Sequence, residues 1–146
     1  MREDGGGVDT TAKLSRVRKT TGSSTGLPTR PDGACPCGGA TYDACCGPLL
    51  RAERLADTPE QLMRSRYTAH ALGDAEHLWR TWHPRTRPER VDLDPGTTWL
   101  GLQVLRAEDE EVEFVAAYDD QRGGGRLHER SRFARRAGRW FYVEPV

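Results

Sequence analysis

The strongest constraint on this chain is a cluster of four cysteines within twelve residues, the only cysteines among its 146 residues. They form two close pairs, Cys35 with Cys37 and Cys45 with Cys46, in the run CPCGGATYDACCGP. Two pairs joined by a short turn can bring four sulfurs around one tetrahedral ion, and Gly38 permits the sharp bend after the first pair. The spacing therefore predicts a closed Cys₄ metal site.

Disulfide and redox chemistry are the alternatives to a metal. Cys45 and Cys46 are adjacent and can pair with each other only through a strained ring, and the N-terminus MREDGGGVDTT has no apolar segment typical of a secretion signal. The cluster also lacks the Cys-x-x-Cys spacing of thioredoxin-type sites. We therefore expect a cytoplasmic protein with reduced thiols and a structural metal. Zinc is the default ion, and iron stays open because tetrahedral sulfur suits both.

The composition excludes several classes of protein. Hydrophobic residues make up 36% of the chain, its mean hydropathy is −0.76 and it has no long apolar run, so we expect no membrane segment. The 22 basic and 22 acidic residues cancel, which argues against specific DNA binding and against strong nonspecific binding to nucleic acid. Residues 1–33 are rich in Gly, Thr, Ser and charge, and we expect them to form a disordered tail.

Two helices are predicted after the cysteine cluster. Asp57 or Thr58 can cap the first helix, Pro59 suits its first position, and Gly73 ends it. Asp74 then caps a second helix over AEHLWRTW, which ends before the next proline. Both helices are amphipathic and need a partner for their apolar faces.

The remainder of the chain has the pattern of β-strands. From Thr97 onward the apolar residues recur with a period of two, and turns are predicted at residues 120–125 and at Ala137-Gly138. Four strands joined by short turns form an antiparallel meander. We therefore predict an α+β domain over residues 57–146, behind a metal knuckle over residues 34–48. Four aromatic residues are expected beneath the helices: Trp79, Trp82, Trp99 and Phe114.

Several phrases of the sequence resemble a known family. The cysteine run resembles the SEC-C motif, a small metal-binding segment also found at the C-terminal tail of the SecA translocation motor. The phrases LMRSRY, TWHP, WLGL and ERSRF are similar to the YchJ family of bacterial proteins, over about Cys35 to Pro145. The resemblance implies a SEC-C knuckle with the four cysteines as ligands, followed by a nuclear transport factor 2-like cone of helices on a curved sheet.

The resemblance also implies a function. SEC-C motifs elsewhere are linked to the SecB chaperone, ribosomes and other translation or export partners. The first hypothesis is therefore a non-catalytic adaptor that binds a protein or ribosomal partner through the knuckle. The turn between the cysteine pairs is one residue shorter than the usual SEC-C pattern, which changes the surface it offers. A redox-sensing thiol cluster is a further hypothesis.

The alternative hypothesis is a cone pocket that binds a small molecule or catalyses a reaction. Glu129 and His83 are its candidate acid and base, with Trp82 and Trp99 beside them. His83 can equally be a histidine favoured by the C-terminal dipole of a helix. Glu129 can equally belong to a buried ion pair, whose candidate cations are Arg64, Arg66 and Arg132. The remaining histidines are expected at exposed positions: His70, His77 and His128.

Overall fold

The computed structural model describes residues 33–146, so all but the last residue of the expected tail lies outside the described residues. A short 3₁₀ turn at Tyr42–Ala44 separates the two cysteine pairs. Three helices and four strands follow: α1 (Gly47–Leu50), α2 (Pro59–Leu72), α3 (Ala75–Arg80), β1 (Thr98–Glu108), β2 (Glu111–Asp120), β3 (Gly123–Arg136) and β4 (Arg139–Pro145).

The helix boundaries follow the predicted capping residues. The Thr58 side chain accepts a hydrogen bond from the backbone N–H of Gln61, and Pro59 occupies the first helical position. Helix α2 ends at Gly73, whose φ of 83° is left-handed. The Asp74 carboxylate accepts from the backbone N–H of His77 and caps α3. These local rules set both ends of α2 and the start of α3.

The end of α3 differs from the prediction. The helix stops at Arg80, before the predicted end at Trp82. The Thr81 hydroxyl donates to the carbonyl of His77 at 2.7 Å, and Trp82 then leaves the helix to bridge to Tyr142 of β4. Tertiary pairing with the sheet therefore shortens the helix.

The four strands form one antiparallel sheet in the order β1-β2-β3-β4, as predicted. Helix α2 packs on one face of this sheet and contacts β1, β2 and β4. Alternate residues of β2 and β3 point towards the helices, because side chains in a strand alternate between faces. They form the centre of the core: Val112, Phe114, Ala116, Leu127, Glu129, Ser131 and Phe133.

Strand β1 breaks the predicted alternation at two places. The register shifts between Trp99 and Gly101 and again between Val104 and Arg106. The intervening leucine in each bulge is exposed, by 60% at position 100 and 46% at position 105. Bulges of this kind are common on edge strands, where they disturb pairing with another chain.

Three of the four predicted aromatic residues lie in the core or against it, and one does not. Trp82 and Phe114 are buried and Trp99 packs against the core, whereas Trp79 is 39% exposed. The inner face of α3 is occupied by Leu78 and His77, which leaves Trp79 on the outer face. The prediction that His77 and His70 are exposed is also wrong, since both are buried.

Candidate metal centre

The four cysteine sulfurs lie within 4.8 Å of one another. Those of Cys37 and Cys45 are 3.6 Å apart, and those of Cys45 and Cys46 are 3.9 Å apart. Two sulfurs about 2.3 Å from one tetrahedral ion are separated by about 3.8 Å, whereas a disulfide requires about 2.05 Å. All four cysteines are free thiols. The cluster therefore has dimensions that fit one four-coordinate metal ion.

A tight turn positions the first cysteine pair. The backbone N–H of Cys35 donates to the carbonyl of Ala40, and that of Gly38 donates to the carbonyl of Cys35. Gly38 has a φ of 90°, which a side chain disfavours. A Cβ atom at Gly39 would lie 2.9 Å from the sulfur of Cys45. Both glycines are therefore required where the chain bends around the sulfurs.

The second pair is held by the 3₁₀ turn and by α1. The backbone N–H of Cys45 donates to the carbonyl of Tyr42, and the carbonyl of Cys46 accepts from Leu50. A Cβ atom at Gly47 would lie 2.8 Å from the carbonyl oxygen of Tyr42. Glycine at position 47 thus allows the helix to begin immediately after the last sulfur.

Helix α2 holds the knuckle against the domain. The Thr68 hydroxyl lies 3.6 Å from the sulfur of Cys35, and Arg64 donates to the backbone carbonyl of Cys37 at 3.0 Å. Cys35 and Cys37 have no exposed surface and belong to the same apolar core as the residues of the sheet. The knuckle is therefore continuous with the domain core.

Nothing in the sequence pointed to Thr68, and Arg64 was expected as a candidate partner of Glu129, whereas it contacts the knuckle instead. The two residues are four positions apart on one helix and therefore share a face. That spacing was visible in the sequence, but it does not tell which face of α2 meets the cysteines.

The four thiols shift one another's pKa values. Hydrogen bonds from Cys37 and Cys46 lower the pKa of Cys35, whereas the hydrogen bonds that Cys46 makes to Cys35 and Cys37 raise the pKa of Cys46. Burial raises the pKa of Cys45 to about 11. The free cluster thus stabilises one thiolate at the expense of its neighbours. Four thiolates together need a positive ion to compensate them.

The predicted acid Glu129 is buried in the sheet core. One carboxylate oxygen, Oε2, accepts a hydrogen bond from Ser131 at 2.5 Å and lies 3.5 Å from the hydroxyl of Tyr142. The other, Oε1, is buried with no hydrogen-bond partner in residues 33–146. Burial raises the pKa of Glu129, although the charge of Arg66 opposes the shift. Of the three candidate cations, Arg64, Arg66 and Arg132, only Arg66 affects the pKa of this carboxyl.

The other three predicted pocket residues do not gather with Glu129 into one site, although Trp82 and Glu129 share Tyr142 as a neighbour. His83 packs on the ring of Phe141, with ring centroids 5.9 Å apart, and its Nδ1 accepts from the backbone N–H of Arg85. Trp82 packs edge-on against Tyr142, and Trp99 contacts the rings of three residues, Tyr67, His70 and Tyr118. The structure shows no contact between His83 and Glu129 that would make them an acid–base pair.

The cone does contain a small cavity at a different position. It measures about 20 Å³ and is lined by Met63, Arg66, Tyr67, His70, Phe114, Phe133 and Tyr142. None of the four predicted pocket residues lines it. Arg66 is buried there, with its Cζ atom 4.5 Å from the centroid of the Tyr142 ring, and donates to the hydroxyl of Thr81 and the carbonyl of Leu78. Burial lowers the pKa of Arg66 to about 10.

Across residues 33–146, no helix combines the length and apolar character needed to cross a membrane.

Known proteins with similar sequences match this protein over most of its length. A family described as "YchJ, middle NTF2-like domain" matches residues 58–145. A UPF0225 protein of Deinococcus radiodurans is 50% identical over 114 residues, which cover 77% of this chain and 88% of the relative. The UPF0225 protein SCO1677 of Streptomyces coelicolor is 49% identical over 126 residues, which cover 81% and 96% respectively.

Two solved structures have the same fold. The solution structure of RPA3114, a SEC-C motif containing protein from Rhodopseudomonas palustris, has a TM-score of 0.69 and 40% identity, covering 77% of this chain and 96% of that one. A crystal structure of a SEC-C motif containing protein from Psychrobacter arcticus has a TM-score of 0.64 and 27% identity, covering 77% and 81%. The chain therefore belongs to the YchJ family of UPF0225 proteins, with a nuclear transport factor 2-like domain behind its cysteine knuckle.

Proposed function

We propose that this protein is a non-catalytic cytoplasmic adaptor whose Cys₄ knuckle holds one Zn²⁺ and binds a protein or ribosomal partner. The observation that carries the proposal is the set of four sulfurs within 4.8 Å of one another. A site with four protein ligands leaves no position for a substrate or a reactive water, so its role is structural. Zinc, which is redox-inert, suits such a role better than iron.

The surface offered to the partner is the exposed side of the knuckle. Residues 38–41 form the turn above the sulfurs and are exposed, as are Asp43 and Ala44 in the 3₁₀ turn. The metal fixes the backbone under these residues, which reduces the entropy that a flexible loop would lose on binding.

Metal analysis tests the first part of the proposal. Protein purified without added metal under reducing conditions should contain about one zinc ion per chain. The Cys45→Ser/Cys46→Ser variant should contain none. Stoichiometric iron in place of zinc would overturn the identity of the ion, and protein without metal would overturn the site.

A pulldown tests the adaptor role separately from metal binding. Ala40→Arg/Ala44→Arg changes two exposed residues of the knuckle and should keep the zinc while losing the partner. The control Gln121→Arg lies in the exposed turn between β2 and β3 and should keep both. If both proteins retain the same partners, the knuckle surface is not the binding site.

The alternative, a small-molecule or enzymatic pocket with Glu129 and His83, has less support. A cavity of about 20 Å³ accommodates a water molecule, whereas ligand pockets measure about 300–1,000 Å³. A thermal-shift screen of metabolites tests it. A compound that stabilises the wild type and not Glu129→Gln would favour the pocket over the adaptor.

A further inference from the structure

We propose that four arginines around His83 form a binding surface for the phosphates of single-stranded RNA. This surface, the arginine face, consists of Arg85, Arg87, Arg136 and Arg139. It does not depend on the metal centre or on a partner at the knuckle.

Contacts between two segments assemble the arginine face. Arg85 and Arg87 belong to the loop after α3, whereas Arg136 and Arg139 flank the turn between β3 and β4. His83 joins the segments, because its backbone N–H donates to the carbonyl of Tyr142 at 2.7 Å and its ring packs on Phe141. The Cζ atom of Arg139 lies 5.3 Å from the centroid of the same Phe141 ring.

The four guanidinium groups of the arginine face form no ion pair with a carboxylate of residues 33–146, none of which lies within 4.0 Å of them. Two arginines elsewhere in β3 are paired, Arg130 with Glu111 at 3.3 Å and Arg132 with Glu144 at 3.1 Å. The zero net charge of the chain therefore conceals a local excess of positive charge.

The sheet register also pairs two of these arginines across neighbouring strands. Arg136 and Arg139 are direct cross-strand partners, and like charges in this position destabilise a sheet. The Nε atom of Arg139 is also buried with no hydrogen-bond partner in the described part of the chain. Features that cost stability locally are typical of functional sites, where a ligand compensates them. After burial, the charges of Arg85, Arg136 and Arg87 also lower the pKa of His83, which agrees with a positive potential here.

The chemistry of the arginine face favours RNA over an acidic protein. A guanidinium group binds phosphate oxygens in a bidentate manner. Trp79 is 39% exposed and lies beside the arginine face, with the Cζ atom of Arg87 3.7 Å from its ring centroid. A partly exposed tryptophan that already stacks on one arginine can also stack on a base through its remaining surface. Unstacked bases are found in RNA loops and ends, whereas DNA is mainly duplex.

Fluorescence anisotropy with a labelled 12-nucleotide RNA and the full chain tests the proposal. If the four arginines neutralise four phosphates, the logarithm of the binding constant should fall with the logarithm of the salt concentration with a slope of about −3. Each phosphate contributes about −0.7 to this slope on a single strand. Arg136→Gln/Arg139→Gln should bring the slope to about −1.4. Trp79→Leu should weaken binding by about fivefold to 100-fold and leave the slope unchanged.

The matched control is Arg130→Gln/Arg132→Gln, which removes the same charge from paired arginines and should retain wild-type binding. Thermal unfolding checks the fold, and Arg136→Gln/Arg139→Gln should melt no lower than the wild type because it removes a like-charge pair. The proposal is overturned if the two double variants bind RNA equally. Tighter binding of single-stranded DNA of the same sequence, or of polyglutamate, would also overturn it, the latter in favour of an acidic protein partner.

Discussion

The Thr68 hydroxyl lies 3.6 Å from the sulfur of Cys35, in the buried interface between α2 and the knuckle. This contact joins a helix of the cone to a residue of the candidate metal centre. Polar groups that contact metal ligands orient them and tune their charge. The candidate metal centre is therefore built by the domain as well as by the cysteine motif.

Thr68→Val should weaken zinc binding by about 10-fold to 100-fold, because it removes the hydroxyl while keeping the shape of the side chain. Competition with a chromophoric chelator measures the affinity. Thr98→Val, at an exposed position of β1, is the matched control and should bind zinc as the wild type does. Equal affinities for the two variants would show that the contact does not support the site.

Removal of the metal should destabilise the whole domain, because three of the cysteines are buried in the core that the sheet shares. Excess chelator should lower Tm by about 10 °C or more in a single transition. Calorimetry with and without chelator measures this shift. The Cys45→Ser/Cys46→Ser variant should be insensitive to chelator, and a second, separate transition in the wild type would contradict the shared core.

Glu129→Gln should stabilise the protein at pH 7 by about 1 kcal/mol, because it removes a buried charge with one unpaired oxygen. Burial raises the pKa of Glu129, so the folded chain holds a proton that the unfolded chain releases above about pH 4.3. Wild-type stability therefore falls as pH rises through the range between the two pKa values.

The difference in the free energy of unfolding between the wild type and Glu129→Gln should consequently shrink towards pH 4. Urea unfolding of both proteins across this range measures it, and acid loss of metal affects both alike. A variant less stable than the wild type at pH 7 would show instead that the charge pair with Arg66 is net stabilising.

His77 should make the protein sensitive to mild acid. Burial, followed by the charges of Arg80 and Arg66, lowers the pKa of His77 to about 3. Its ring lies 2.9 Å from the Ser65 hydroxyl and 3.2 Å from a guanidinium nitrogen of Arg80, so the neutral form is the one that fits. The stability that neutral His77 contributes is present above about pH 6.5 and is lost as pH falls towards 3. The free energy of unfolding falls by up to about 1.4 kcal/mol per pH unit in this range.

Unfolding of His77→Gln at pH 7 and pH 5 checks this expectation. The variant should be less stable than the wild type at pH 7, and the gap should close at pH 5. His128→Gln, at an exposed position, should retain the acid sensitivity of the wild type. A gap that is constant with pH would assign the sensitivity to other groups.

Local features of the sequence determined the elements and the identity of the candidate metal ligands. Thr58, Pro59 and Gly73 fix the bounds of α2 through capping, and the period of two in β2 and β3 fixes which side chains point inward. The cysteine spacing predicts a four-sulfur cluster because ligands that are close in sequence need little tertiary structure to meet.

Long-range contacts determined the rest. The bulges of β1 depend on its pairing with β2, and the exposure of Trp79 depends on which face of α3 meets the sheet. The sequence likewise could not place Thr68 beside Cys35 or gather the arginine face around His83, because these residues belong to segments that are distant in the chain. The sequence by itself determined the candidate metal ligands, the helix caps and the strand pattern. Packing between distant segments decided what surrounds those cysteines and where positive charge collects.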